Sequence, residues 1–266
     1  MFILKLLATL IIVYLLILLI IFLSQRKLLY HPSENNYLEE NLLSHKVEKI
    51  KISSNNSINL ESWYFLKNSN FKTLVFFHGN AGSLENRIHK LNHLSNLDIN
   101  YLIFAYRGFS GNKGMPTEKG IYEDANAVIY WLNSKGVMRD NIILYGESLG
   151  AAVAIEIAKN KNFAWIILES PFTSMEEIAK IYYPYIPVRL LLKDKYKTNE
   201  KISNVNSPIL VMHGKKDQIV PFDMGKKIFN LAKNPKYNFF VDYDDHMMEY
   251  NENLLNTLKK FIQSLN

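Results

Sequence analysis

The sequence predicts an α/β fold in which a mostly parallel β-sheet carries helices on both faces and follows an N-terminal transmembrane helix. Two early segments, within residues 45–66, alternate polar and apolar residues, as half-buried antiparallel strands do. From residue 73 onward, short apolar runs alternate with segments of helical periodicity, which is typical of parallel strands covered on both faces. Residues 172–207, rich in Tyr and Pro, break this alternation and indicate a short lid insertion.

The N-terminal segment, residues 2–23, is predominantly apolar, and Lys5 is its one charged residue. About 20 apolar residues span a bilayer, whereas a cleaved signal peptide has an apolar region of about 7–15 residues followed by a small-residue cleavage site. We therefore predict a retained single-pass membrane anchor over residues 1–27, with a cleaved signal peptide or a buried core helix as alternatives. The amino terminus and Lys5 on one side balance Arg26 and Lys27 on the other, so the positive-inside rule does not select an orientation.

Composition excludes several classes of function. The chain has 266 residues, with 31 Lys and Arg against 25 Asp and Glu, and its basic residues are scattered rather than clustered. Nucleic acid is therefore not an expected partner. The absence of cysteine rules out disulfides, thiol nucleophiles and thiolate metal sites. The length suits one α/β domain, over residues 28–266, plus a small appendage, and no metal-ligand cluster is apparent in the sequence.

The individual elements follow from periodicity and from turn residues. Residues 28–40 are predicted to form a connector. The predicted strands are residues 45–52, 58–66, 73–77, 101–106, 142–145, 165–168, 209–213 and 237–241. The predicted helices are residues 83–96, 117–134, 149–159, 223–231 and a last helix ending at about residue 265.

The segment G-E-S-L-G places Ser148 between Gly146 and Gly150, at the carboxyl end of a strand and directly before a helix. In open α/β sheets, ligands bind beyond the carboxyl ends of the strands. A tight strand-to-helix turn exposes a serine hydroxyl, and flanking glycines relieve the crowding of the turn. We therefore predict Ser148 as a nucleophile; the alternative is a glycine-bounded turn with an idle serine.

A serine hydroxyl needs a base, and the base needs an orienting acid. Asp217 follows the strand at residues 209–213, and His246 follows the last strand. The order Ser, Asp, His is the one expected for a nucleophile elbow in this architecture. Asp217 could instead cap its own turn. His78 and His213 also follow strands, but each precedes a glycine in a loop, and we expect structural roles for both.

The predicted oxyanion hole consists of two backbone N–H groups. One belongs to Leu149, at the start of the helix after Ser148. The other belongs to Asn80 in the segment H-G-N-A-G, where Gly79 lets the backbone approach the reacting centre. A simple glycine turn is the alternative for this segment.

Five segments in order carry a family resemblance: H-G-N-A-G, Y-R-G-F-S-G-N-K-G-M-P-T-E-K-G-I-Y-E-D-A, Y-G-E-S-L-G-A, E-S-P-F-T-S and H-G-K-K-D-Q-I-V-P. Together they resemble the α/β-hydrolase superfamily, and most closely its membrane-anchored Bem-type branch. The resemblance covers residues 28–266. It implies an α/β-hydrolase fold, a triad of Ser148, Asp217 and His246, oxyanion donors at Asn80 and Leu149, and no cofactor.

The chain departs from that branch at two places. The branch usually has an acid before Y-R-G, whereas this chain has Ala105, so Arg107 is expected to lack its usual partner. The branch also usually has glycines just before the histidine, where this chain has Asp244 and Asp245. Aspartate tolerates a positive φ better than most residues, should that backbone require one.

The lid, about residues 172–207, suggests the class of substrate. Its aromatic residues and the nearby anchor predict an apolar pocket for a small-molecule or lipid-like acyl group. The predicted pocket residues are Phe172, Tyr182, Tyr183 and Tyr185; ordinary core packing is the alternative. The sequence thus favours a membrane-anchored serine hydrolase of carboxylic esters or thioesters. A serine peptidase or aminopeptidase of the same fold and a non-enzymatic membrane-bound binding module are the other hypotheses.

Overall fold

The computed structural model describes residues 1–36, 42–55 and 58–263. Its helices are α1 (Phe2–Leu29), α2 (Ile88–Leu94), α3 (Glu118–Ser134), α4 (Leu149–Ala158), α5 (Met175–Tyr182), α6 (Val188–Leu191), α7 (Phe222–Leu231) and α8 (Glu252–Gln263). Its strands are β1 (His31–Pro32), β2 (Glu48–Ser54), β3 (Ile58–Phe65), β4 (Thr73–Phe77), β5 (Ala81–Gly82), β6 (Asn100–Phe104), β7 (Ile142–Glu147), β8 (Trp165–Glu169), β9 (Ile209–Gly214) and β10 (Lys236–Val241). The predicted end of the last helix and residues 37–40 of the predicted connector lie outside the described residues.

Within the described residues, eight strands form the main sheet, in the order β10-β9-β8-β7-β4-β6-β3-β2. Strand β3 pairs antiparallel with β2 and with β6, and the other neighbours are parallel. Every residue of β4, β6, β7, β8 and β9 is buried, as expected for strands covered by helices on both faces. The mostly parallel sheet with an antiparallel beginning is therefore confirmed.

Sheet order explains why the predicted site residues converge. Strands β7, β8, β9 and β10 are consecutive neighbours and run parallel, so their carboxyl ends lie on one edge of the sheet. Ser148 follows β7, Asp217 follows β9 and His246 follows β10. Three residues far apart in the chain are thus brought to the same edge.

A second, two-stranded sheet joins the end of the N-terminal helix to the loop after β4. Strand β1 pairs parallel with β5, with His31 opposite Ala81 and Pro32 opposite Gly82. The His31 N–H also donates to the Asn80 carbonyl at 2.8 Å. The predicted connector therefore contains a short strand, which fixes α1 relative to the segment H-G-N-A-G.

Helix α1 is long and apolar enough to cross a membrane, and it is a candidate transmembrane helix. None of its residues is buried, so the alternative of a buried core helix is wrong. The helix extends to Leu29, two residues beyond the predicted anchor boundary at residue 27. The division into an anchor and a domain starting at residue 28 stays a prediction.

The lid and the second predicted helix are more broken than the periodicity indicates. The lid contains α5, α6 and a 3₁₀ turn at Ile202–Asn204, joined by irregular chain. The helix predicted over residues 83–96 starts with a 3₁₀ turn at Glu85–Arg87 and continues as α2. Both regions contribute residues to the site described below.

Arg107 has a buried partner, contrary to the expectation drawn from Ala105. Its Nε and Nη2 donate to the Asp124 carboxylate at 2.7–3.1 Å, and its backbone N–H donates to the same group at 2.8 Å. Asp124 lies on α3 and also accepts from the Ser54 hydroxyl at 2.7 Å. An acid supplied by the following helix thus holds the arginine in place of one on its own strand.

Replacing Asp124 by asparagine removes the charge opposite a nearly buried guanidinium. We expect Asp124→Asn to lower the free energy of unfolding by about 3–5 kcal/mol, because a buried cation without its counter-charge is costly. The control Glu123→Gln alters a partly exposed contact to the same arginine at 3.2 Å and should cost less than about 1 kcal/mol. Denaturant unfolding of the full chain in detergent compares the two; equal effects would contradict this account.

Candidate active site

Ser148 is the single residue between β7 and α4, and its backbone is in an unfavourable conformation, with φ +52° and ψ −111°. Its N–H donates to the Glu169 carbonyl of the neighbouring strand β8 at 2.8 Å. A Cβ at Gly146 would lie 2.3 Å from the Gly150 oxygen, and one at Gly150 would lie 1.9 Å from the Phe77 oxygen. The two glycines of G-E-S-L-G are therefore required by close backbone contacts at the turn.

A cavity of about 250 Å³ opens over this turn. Ser148, Leu149 and Asn80 all contribute to its wall, so the structure brings the serine and the two predicted oxyanion donors to one space. Leu149 starts α4, and N–H groups in the first turn of a helix have no partner within that helix. The helix N-terminus at the serine is thus suited to a developing negative charge.

Asp217 and His246 are in direct contact, because the His246 Nδ1 lies 2.8 Å from the Asp217 Oδ2. The other carboxylate oxygen accepts from the N–H groups of Ile219 and Val220, each at 2.8 Å. Asp217 thus both caps its own turn and binds the imidazole, so the predicted role in the triad and the alternative role as a turn cap occur together. The His246 side chain is only 12% exposed.

His213 is a second imidazole beside the same carboxylate. Its Nε2 lies 3.1 Å from the Asp217 Oδ2 and 3.0 Å from the Val220 carbonyl. Burial alone would raise the pKa of Asp217, but hydrogen bonds from His213 and His246 lower that pKa below its ordinary value. Asp217 is therefore held as a carboxylate, the form that fixes the Nδ1 proton of His246.

The loop before His246 does not use the positive φ that its aspartates could tolerate, since neither Asp244 nor Asp245 has one. The loop packs closely against the end of β9, and Gly214 makes room for it. A Cβ at Gly214 would lie 2.2 Å from the Asp244 backbone oxygen. The Asp245 Oδ1 accepts from the Met247 N–H at 2.9 Å. The Ser170 hydroxyl donates to the His246 carbonyl at 3.1 Å.

The segment H-G-N-A-G is held from both sides. The Asn80 side chain donates to the Leu29 carbonyl at 2.7 Å, so it is turned towards α1 and only the backbone of Asn80 remains for the oxyanion role. The buried His78 Nδ1 donates to the Gly79 carbonyl at 2.7 Å, and its Nε2 accepts from the Tyr106 N–H at 3.4 Å. Burial and the Arg87 charge lower the pKa of His78 to about 3, in keeping with the expected structural role.

A buried ionic network lies under the turn. The Lys90 Nζ contacts Glu147 at 2.6 Å and Glu169 at 2.7 Å, and Arg87 contacts Glu147 at 2.6 Å. Burial alone would raise the pKa of Glu147, but Lys90 and Arg87 lower it below its ordinary value. Glu147 directly precedes Ser148, and the backbone carbonyl of Glu169 accepts from the Ser148 N–H. The network therefore fixes the backbone on both sides of the serine.

Three of the four predicted pocket residues line the cavity: Phe172, Tyr182 and Tyr183. The prediction for Tyr185 is wrong, because its side chain is 87% exposed and does not belong to the wall. Tyr185 lies in the irregular segment between α5 and α6, directly after Pro184.

Sequence reasoning missed one wall of the cavity altogether. Helix α1 contributes Ile21, Gln25, Leu28 and Leu29 to the lining. These positions share one helix face, since residues three and four apart are neighbours on a helix. In an almost uniformly apolar segment, Gln25 is the one signal that could have marked this face.

The chain is similar to proteins of one family. A protein-family comparison matches residues 87–261 to the prolyl oligopeptidase family, a segment that includes the turn at Ser148, the lid, Asp217 and His246. An uncharacterized protein of Mycobacterium tuberculosis is 35% identical over 215 residues, covering 80% of this chain and 76% of that protein. The human alpha/beta hydrolase domain-containing protein 17B is 31% identical over 195 residues, covering 71% of this chain and 66% of that protein.

A solved structure gives the same fold. An esterase of Pyrococcus furiosus superposes with a TM-score of 0.71 at 19% identity, over 89% of this chain and 98% of that one. A similarity at this level of identity concerns the fold alone. It confirms the predicted arrangement of sheet and helices.

Replacing Gly150 by alanine tests the close contact at the turn. Gly→Ala inside a helix ordinarily stabilises by about 1 kcal/mol. Here we expect the opposite sign, a loss of about 1–3 kcal/mol, because the added methyl group meets the Phe77 carbonyl. Denaturant unfolding of Gly150→Ala gives the sign directly, and a stabilised variant would refute the contact.

The buried His78 predicts a component of the pH dependence of stability. The unfolded chain protonates this imidazole near its ordinary pKa of 6.5 and the native protein only near 3, so stability falls as the pH is lowered between those values. This group contributes a slope of up to about 1.4 kcal/mol per pH unit. We expect His78→Gln to have a shallower slope of unfolding free energy between about pH 7 and pH 4.5. An unchanged slope would contradict the buried neutral state.

Proposed function

The chain belongs to the prolyl oligopeptidase family of α/β hydrolases, and from that premise we propose that it is a membrane-anchored serine hydrolase that cleaves carboxylic ester or thioester bonds of acyl substrates. One observation carries the proposal. Ser148 stands at a strained strand-to-helix turn, on the wall of an apolar cavity, at the sheet edge that also holds the hydrogen-bonded pair of Asp217 and His246.

Ser148 is the nucleophile of the proposed reaction. Because the His246 Nδ1 is bound to Asp217, the Nε2 is the nitrogen that takes the proton from the serine hydroxyl. The serine oxygen attacks the acyl carbonyl carbon and forms a tetrahedral intermediate. His246 then gives the proton to the leaving alcohol or thiol, and an acyl-enzyme remains.

The backbone N–H groups of Asn80 and Leu149 stabilise the oxyanion of that intermediate. The support for this role is their shared position on the cavity wall with Ser148. In the second half of the reaction, His246 removes a proton from water, and the hydroxide attacks the acyl-enzyme. The products are a carboxylic acid and free Ser148.

The chemistry of the cavity favours an acyl substrate over a peptide terminus. Ser148, Asn80, Gln25 and two tyrosines are its polar lining residues, and no charged side chain belongs to the lining in the described parts of the chain. The family name points to peptidases, and a peptidase is the second candidate. An aminopeptidase would need a fixed charge to hold the peptide terminus, which the lining does not offer.

Membrane anchoring is supported by the way α1 joins the domain. Its last two turns line the cavity, and Arg26 forms a salt bridge with Asp194 of the lid at 2.8 Å. A cleaved signal peptide would take this cavity wall with it. A retained helix therefore accounts for the contacts better than a removable leader does.

A fluorophosphonate probe tests the nucleophile. We expect membranes with the wild-type protein to be labelled and those with Ser148→Ala to be unlabelled, and the exposed Ser134→Ala control should label like wild type. Ester hydrolysis by Ser148→Ala should fall by at least about 10⁴-fold. Folded wild type that resists the probe, or labelling that survives in Ser148→Ala, would rule out the proposed nucleophile.

The same preparations distinguish esterase from peptidase. We expect p-nitrophenyl acyl esters of graded chain length to be hydrolysed and aminoacyl anilides to be spared, because the cavity wall is apolar and uncharged. Preference for the anilides would favour the peptidase.

A further inference from the structure

The lid and α1 enclose the cavity together. One face of α1 lies on the cavity wall at Ile21, Gln25, Leu28 and Leu29, opposite lid residues of α5 and α6. A segment with the composition of a membrane span is therefore also part of the site. This arrangement raises the question of what medium the cavity opens into.

The helix is fixed to the lid by polar contacts at its domain end. The Gln25 Nε2 donates to the Leu191 carbonyl at 3.1 Å, and its Oε1 accepts from the Lys193 N–H at 2.7 Å. Arg26 contacts the Asp194 carboxylate, which is nearly buried. These contacts bind the lid backbone directly to the helix, so the two elements share one position relative to a membrane.

The lid also reaches far along the helix. The Tyr14 hydroxyl donates to the Tyr185 carbonyl at 2.7 Å. Tyr14 lies nine residues before Leu23, which is about 14 Å along the helix axis. Helical side chains tilt towards the N-terminus, so the hydroxyl lies at least as far from the domain as the Tyr14 backbone.

This distance places the tip of the lid beside the apolar span. Residues 6–23 contain no charge and rise about 27 Å as a helix, close to the roughly 30 Å of a bilayer hydrocarbon core. Tyr14 is near the middle of that span. If the span crosses a bilayer, the lid tip lies inside the layer.

The surface of the lid tip fits that location. It exposes five large apolar or aromatic side chains: Ile181, Tyr182, Tyr183, Tyr185 and Leu190. Tyr185 is 87% exposed and Leu190 is 83% exposed. Clusters of exposed apolar side chains on a protein surface mark binding sites for another molecule or a membrane.

Part of the backbone of the lid tip is hydrogen-bonded, which lowers the cost of placing it in hydrocarbon, where unpaired polar groups are costly. The N–H groups of Ile186, Val188 and Leu190 donate to nearby carbonyls, and Pro184 and Pro187 have no N–H. The Tyr185 carbonyl at the bend accepts from Tyr14.

Arg189 is the charged residue within this tip. Its guanidinium turns back to Glu176 near the start of α5, with an Nε–Oε1 distance of 3.9 Å. Long basic side chains at a membrane boundary place their charged ends on the aqueous side in this way. The one charge in the tip is therefore compatible with insertion.

We propose that the lid tip, residues 181–190, inserts into the hydrocarbon layer beside α1, and that the cavity receives the acyl chain of a long-chain ester lipid directly from the membrane. This rests on the proposed function, which supplies the hydrolysis: water is added across the ester bond, and a fatty acid and an alcohol leave. Ile21 and Leu28 line the path of the chain, and Ser148 stands where the ester carbonyl arrives.

The position of the lid tip can be measured without catalysis. The chain has no cysteine, so Tyr185→Cys carries a single environment-sensitive fluorophore on the full-length protein in phosphatidylcholine vesicles. The matched control is Tyr130→Cys, on an exposed face of α3. We expect nitroxide-labelled lipid to quench the label at 185 and aqueous iodide to quench the label at 130. A label at 185 that iodide quenches as readily as the one at 130 would overturn the insertion.

The role of α1 in the path is tested by selectivity. Ile21→Trp narrows the cavity face, and Leu23→Trp places the same ring on an exposed position of the helix. Vesicles of ether-linked phosphatidylcholine contain no carboxylic ester and can carry a palmitoyl ester lipid as substrate. The soluble reference substrate is p-nitrophenyl butyrate. We expect Ile21→Trp to lower the ratio of kcat/KM for the palmitoyl ester to that for the butyrate by about tenfold or more. Leu23→Trp should leave the ratio within about twofold.

An unchanged ratio in Ile21→Trp would overturn the membrane path. Wild type that hydrolyses neither ester in a Ser148-dependent way is a failure of the proposed function instead. In that case the quenching experiment still reports the position of the lid, so the two failures are distinguishable.

Discussion

The close packing of the first turn of α4 against the ends of β4 and β7 is the constraint on which the site depends. There is room for this approach only because positions 146 and 150 lack a Cβ. The chain therefore reverses from strand to helix within one residue, and Ser148 takes a positive φ. The same approach brings the N-terminus of α4 next to the loop after β4, so that Leu149 and Asn80 line one cavity. With a looser turn, the serine and the two backbone donors would be separated.

The buried network of Lys90, Glu147 and Glu169 supports this turn at a cost. Removing each of these charges from water is unfavourable by several kcal/mol, and such networks are often no more stabilising than apolar packing. The network instead fixes the positions of the segments beside Ser148. Glu147 and Glu169 are held through two oxygens each, and their backbones lie on either side of Ser148. Tyr250, just before α8, also donates to Glu169, which joins the last part of the chain to the network.

The features that could be predicted from the sequence are those encoded locally. The central strands are short apolar runs, and Ser148 and Asp217 each follow such a run. His246 follows the edge strand β10, and sheet topology brings all three residues to one edge. The missed features join segments distant in the chain. Asp124 replaces an acid expected on the strand of Arg107, and no local periodicity indicates which helix will supply a counter-charge.

The lid and the anchor show the same limit. Aromatic composition identified a pocket wall, but it does not indicate on which side of the lid each ring lies, and Tyr185 is exposed. Uniform hydrophobicity in α1 indicated a membrane span and concealed that one of its faces lines the cavity. A uniformly apolar composition is sufficient for a membrane span, and it does not indicate which helix face also lines a cavity.

The place of α1 in the cavity wall determines how the substrate concentration of the proposed enzyme is expressed. A protein whose pocket is completed by its own anchor encounters an ester lipid by lateral diffusion within one sheet of membrane. The relevant concentration is then a mole fraction in the bilayer, and inert lipid dilutes the substrate whereas added water does not. In the proposed enzyme, α1 is therefore a tether and a wall of the site, and it confines the reaction to two dimensions.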